Sequence, residues 1–179
     1  MTRSIYATAD KWIQPTVGHV HDMLKKASEK IGCSIYDIHL YLGASERTVR
    51  RWKTNYQTSP DEVSSIRYPS WGLLVKLVDG RLIFTKDGKP LEVHNQALFG
   101  IITDKYLLNA IEFKKSPPPR KVASFFVGED SITNLSRMEL AGLLSYDSSQ
   151  MGRLINNMQF SVWASLLVIY GVDETKLFY

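Results

Sequence analysis

Four cations fall within seven positions at Arg47, Arg50, Arg51 and Lys53, interleaved with Ser45, Glu46 and Thr48. Guanidinium groups present rigid forks of N–H donors, and an ammonium is a mobile point charge. The chemistry open to this stretch is therefore recognition of anions and acceptor edges, not bond making; its bland alternative is a solvated helix face. Nothing elsewhere supplies catalysis. The chain has no Gly-rich phosphate loop, no G-x-S-x-G and no visible pairing of a nucleophile with a base, so it is not expected to be an enzyme. His19 and His21, two apart, point to different faces of a helix, and no partner stands at metal-ligand spacing. No metal, cofactor or small-molecule ligand is expected.

Composition narrows the partner class. The 179 residues are 44% hydrophobic, enough for one medium domain or two small ones with their own cores. The single cysteine, Cys33, excludes an intramolecular disulfide framework, and the first ten residues hold no apolar stretch suited to a signal peptide. A cytoplasmic protein is expected. The most apolar run, residues 162–172, is far shorter than the ~20 residues that cross a bilayer and reads as a buried helix. Net charge is +4. Residues 1–128 hold 19 Lys/Arg against 12 Asp/Glu, whereas residues 129–179 hold 3 against 6, so an anionic partner should meet the front part.

The elements that must position the cations follow from periodicity. Val17, Val20, Met23, Leu24, Ala27 and Ile31 mark one face of a helix over residues 16–31, with Pro15 at its start and Gly32 as its stop. A second helix is expected from Ser34 as cap, with Asp37 near its positive end and Ile38, Leu40 or Tyr41, and Leu42 as its buried side. Gly43 fits a tight bend, Ser45 caps a third helix, and Val49 and Trp52 form that helix's inward stripe. After the polar stretch 55–65, Trp71, Leu74, Val75 and Val78 mark a fourth helix. Residues 12–79 thus read as one helical unit. A middle segment, residues 80–121, holds two short apolar runs about Asp87-Gly88, expected as a β-hairpin, then apolar residues 95–113, ambiguous between helix and strand. Pro117, Pro118 and Pro119 set a boundary before a third segment, residues 122–179.

The chain also repeats itself. An offset of 102 lays Ser34 on Ser136, Asp37 on Glu139, Ile38 on Leu140, Leu42 on Leu144, Val49 on Met151, Arg51 on Arg153, Trp52 on Leu154 and Asn55 on Asn157. Without residues 56–65 the offset becomes 92, and Tyr68, Trp71, Leu74 and Val75 fall on Phe160, Trp163, Leu166 and Leu167. Two copies of one helical motif are inferred, and Trp52, Trp71 and Trp163 are expected in the core.

At "SIYDIHLYLGASERTVRRWKTN" the chain resembles the helix-turn-helix of phage repressors, the fold of lambda-repressor and Cro-type regulators, over residues 16–79. Leu42, Gly43, Ala44, Ser45, Val49 and Trp52 meet that pattern; His39 departs from it where the family carries a small alanine. The second copy keeps the alanine as Ala141 and replaces the turn glycine with Ser145. The Pro-Ser-Trp-x-Leu-Leu stretch at residues 69–74 is similar to small regulators of phages and mobile elements. The resemblance implies a mainly α protein of two helix-turn-helix units that binds double-stranded DNA as a transcriptional regulator or repressor. Helix 45–54 would then lie in the major groove. Glu46, Arg47 and Arg50 would face base edges, and Thr48, Arg51 and Lys53 would meet phosphates. Ser148, Ser149, Gln150 and Arg153 are the corresponding positions of the second unit. There the charge balance favours packing on a partner, so a homodimer through the C-terminal unit is expected. The rival readings are a protein-interaction module of a mobile element with a degenerate helix-turn-helix, and an architectural or plasmid-maintenance DNA binder.

Overall fold

The computed structural model describes residues 3–178, and within them the chain is mainly helical, with no strand. Helix α1 (Val17–Ile31) is capped by the Thr16 hydroxyl, which accepts from the His19 amide at 3.3 Å, and is closed by Gly32 in the left-handed region. It buries the expected face of Val17, Val20, Met23, Leu24 and Ala27. Helix α2 (Ile38–Tyr41) is a single turn, α3 spans Glu46–Trp52, and α4 spans Tyr68–Asp79. Residues 95–113, ambiguous in sequence, form α5 (Gln96–Lys105) and α6 (Ala110–Lys115), both capped by asparagines. A short α7 (Arg120–Ala123) runs into a 3-10 turn, and the second repeat supplies α8 (Arg137–Leu143), α9 (Ser148–Asn156) and α10 (Phe160–Ile169) before α11 (Thr175–Phe178).

Two expectations are corrected. The β-hairpin about Asp87-Gly88 does not form. Its turn closes on itself, with the Gly88 amide donating to the Thr85 carbonyl, the Lys89 amide to the Asp87 carboxylate and the Thr85 hydroxyl to the Lys89 carbonyl. The flanks do not pair. Leu82, Ile83 and Phe84 are buried in succession, not alternately, and the Leu91 amide donates to the Ile169 carbonyl on α10. The Phe84 ring lies over Gly72, where an added Cβ would stand 2.3 Å from it. The turn dipeptide is therefore real but joins two core-lining segments.

Ser34, expected to cap the second helix, instead caps a turn: its hydroxyl accepts from the Tyr36 amide, and helix begins only at Ile38. The second copy explains why. Ser136 starts α8 in a capping box, with Glu139 reaching back to the Ser136 amide at 2.8 Å. In the first copy the third residue is Asp37, one methylene shorter, and it makes no side-chain capping bond.

Helices α4 and α10 form the centre. Tyr68, Trp71, Leu74 and Val75 of α4 and Phe160, Trp163, Leu166 and Leu167 of α10 are all buried, in the register given by the 92-residue offset. The Ser165 hydroxyl donates to the Pro69 carbonyl at 3.3 Å across the pair. One apolar core runs through residues of the first unit, the middle segment and the second unit. None of the described helices is long and apolar enough to cross a membrane.

Candidate nucleic-acid interface

Backbone geometry at the first turn is set by Gly43, whose φ of 60° lies in the left-handed region. A Cβ at this position would stand 2.5 Å from the Phe160 Cβ, so the turn also sits directly on the start of α10. Ser45 then caps α3, its hydroxyl accepting from the Thr48 amide at 3.1 Å and lying 2.7 Å from the Thr48 hydroxyl. Val49 and Trp52 are buried, and the Ser64 hydroxyl holds the Trp52 carbonyl at 2.6 Å. With that stripe inward, Arg47 falls opposite to it, and Arg50 and Arg51 flank Arg47 on either side. All three are exposed.

Their surroundings differ. Arg50 Nη2 meets Glu46 Oε1 at 2.5 Å, an i,i+4 pair with both side chains more than half exposed. Such a pair contributes only about 0.3–0.5 kcal/mol in water and leaves both groups available to a ligand. Lys53 Nζ stands 5.3 Å over the Tyr36 ring, and desolvation, with the Arg50 charge beside it, holds its pKa below the ordinary lysine value. Thr48 is engaged in the cap. Arg47 and Arg51 make no ion pair or hydrogen bond among the described residues. Behind α3, His21 stacks on Tyr56 at 3.7 Å, and desolvation lowers its pKa below 6.5. No group of three or more His, Cys, Asp or Glu among the described residues could hold a metal ion.

The second unit has the same turn and the same cap position. Ser145 takes a φ of 60°, as Gly43 does, and Asp147 caps α9 where Ser45 caps α3. Its side chains are differently occupied. The Asp147 carboxylate accepts from the Gln150 amide and the Ser149 hydroxyl, both at 2.7 Å, while Gln150 Oε1 accepts from the Asp147 amide at 3.0 Å. These bonds, the Gln150 amide first, hold the Asp147 carboxyl below its ordinary value. Ser148 accepts from Arg137 Nε at 3.2 Å. Of the four positions expected to face DNA here, Ser148, Ser149 and Gln150 are tied within the protein and Arg153 alone is exposed without a hydrogen bond or ion pair.

The two units touch reciprocally. Gly43 in the first turn meets Phe160 at the start of α10, and Tyr146 in the second turn meets Arg67 just before α4. The two contacts are one residue out of register, since the repeat offsets lay Gly43 on Ser145 and Phe160 on Tyr68. Burial raises the Tyr146 pKa, and the Arg67 hydrogen bond and charge oppose that shift. Within α10 every residue from Val162 to Ile169 is buried inside the chain.

Sequence reading missed Arg137, which the repeat offset lays on Ile35, an apolar residue with no visible role. The signal was the glycine facing it, Gly152, at the position of Arg50. Comparisons with protein families, with curated proteins and with solved structures give no match to the chain.

Proposed function

We propose that the protein is a sequence-specific double-stranded DNA-binding regulator of transcription that reads the major groove with α3. The observation that carries this reading is the arc of Arg47, Arg50 and Arg51, exposed on a short helix whose other side is fixed by Val49 and Trp52 and whose start is fixed by Ser45. A helix held this rigidly on a tight turn can enter a groove about 12 Å wide. Arg47 faces guanine O6 and N7, and Glu46 with Arg50 forms an acceptor-donor pair suited to cytosine N4 and a neighbouring guanine. Each good bidentate contact contributes roughly 1–3 kcal/mol of discrimination. Arg51, Lys53 and Thr48 take phosphates, which give affinity without sequence information.

Charge distribution supports the same assignment, because the excess of cations lies in residues 1–128. The pairing of α4 with α10 inside one chain means that two units are already joined, and self-association would need another surface. Selection of bound fragments from a random duplex pool tests the function. Enrichment of a consensus with at least one guanine, lost when Arg47 is replaced by alanine, is the expected result. No enrichment would transfer the chain to the protein-interaction reading.

A further inference from the structure

We infer that the second unit also grips DNA, through a cation moved from its third helix to its second: Arg137 and Arg153 form a phosphate-binding face over Gly152. This rests on the DNA-binding reading of α3. Under the repeat, Ile35 corresponds to Arg137 and Arg50 to Gly152. In the first unit Ile35 and Arg50 line the same small hollow, together with Tyr36, Glu46, Val49 and Lys53, so an apolar side chain in the turn before α2 faces a guanidinium on α3. In the second unit the pair is exchanged. A Cβ on Gly152 would stand 3.1 Å from Arg137 Nη1, so the Arg137 guanidinium lies directly over the position that a larger residue would fill. The equivalent spot carries a positive charge in both units, from opposite sides of the turn.

Folding alone gives little reason for that arrangement. Arg137 is the first residue of α8 and its Nε bonds Ser148, the first residue of α9, so its charge sits against helix starts, where the macrodipole disfavours a cation. Its Nη1 and Nη2 make no hydrogen bond within the described residues, and the side chain is exposed. Two free, parallel amino groups on a guanidinium fixed at Nε match two phosphate oxygens. The acids nearby are exposed but each is held at a helix start, Glu139 accepting from the Ser136 amide and Asp147 from the Gln150 amide. Arg153 adds a second outward charge one residue beyond Gly152. The side chains that would read bases, Ser148, Ser149 and Gln150, are engaged in capping or with Arg137. The face therefore anchors the backbone and does not read sequence, and one chain combines a reading unit with a clamping unit.

The test is a salt series on the full chain with a random-sequence 40-base-pair duplex, between about 50 and 200 mM salt. Each phosphate contact contributes a slope of about 0.9, so the unsubstituted chain should lose about three- to fourfold more affinity over that range than Arg137→Ile. Arg137→Ile combined with Gly152→Arg, which restores the arrangement of the first unit, should recover the lost slope. Thermal melts of each variant show that it is folded. An Arg137→Ile slope equal to that of the parent, or a double variant no steeper than the single one, overturns the inference. If the unsubstituted chain does not bind duplex DNA, or Arg47→Ala binds a selected site as the parent does, the reading of α3 fails instead.

Discussion

The two repeated helical units share their turn and cap geometry and differ in their surfaces. Gly43 and Ser145 share a φ of 60°, Ser45 and Asp147 cap equivalent helices, and Val49 and Met151 are buried at equivalent depth. Where the first unit exposes Arg47 and Arg50, the second has Ser149 and Gly152. The difference separates what the fold requires from what it does not. Caps, turn and stripe recur because the helices cannot form or pack without them. Arg47 and Arg50 of α3 do not recur, so folding does not account for them.

The turn gives the largest expected contrast. Gly43→Ala meets both left-handed backbone strain and overlap with Phe160, and should destabilise the protein by about 2–5 kcal/mol. Ser145→Gly relieves the same strain in the second unit and should raise stability by up to about 1 kcal/mol. Chemical denaturation of the two variants measures both, and effects of the same sign would break the equivalence of the two turns.

Caps give the next contrast. Ser45→Ala should lower stability by about 1 kcal/mol, from loss of the hydroxyl that holds the Thr48 amide. Asp147→Ala should lower it further, because it also removes the acceptor for Ser149 and half of a reciprocal box with Gln150.

The smallest effect is one of pH. The folded Asp147 carboxyl titrates below its ordinary 3.8, so its stabilising contribution is complete above about pH 4 and is lost as pH falls through the depressed value. Stability curves of the parent and Asp147→Asn should converge toward acid pH, while Ser45→Ala should keep a constant gap. A gap for Asp147→Asn that does not narrow would place its effect outside the carboxylate charge.

Much of this was legible in the sequence, for identifiable reasons. The caps Ser45 and Ser136, the bend at Gly43 and the buried tryptophans Trp71 and Trp163 depend on local chemistry, and periodicity exposed them. The repeat also predicted which residues of α4 and α10 are buried. The hairpin was misread because Asp87-Gly88 signals a turn without saying what flanks it, and Leu82, Ile83 and Phe84 are drawn singly into a core that forms between distant elements. Ser34 was misread by one methylene at Asp37. The engagement of Ser148 by Arg137 and of Lys53 with Tyr36 joins residues on opposite sides of each turn, and no spacing rule reports such contacts.

The central claim is that α3 reads sequence, and the ratio of affinities for a selected site and a random duplex tests it most directly. Measured by gel shift for the parent and for Arg47→Ala, the ratio should fall by a factor of about 5 to 150, corresponding to one bidentate contact of roughly 1–3 kcal/mol. Arg51→Ala should weaken both duplexes together and leave the ratio unchanged. A ratio unaffected by Arg47→Ala, with binding to both duplexes intact, would contradict the account.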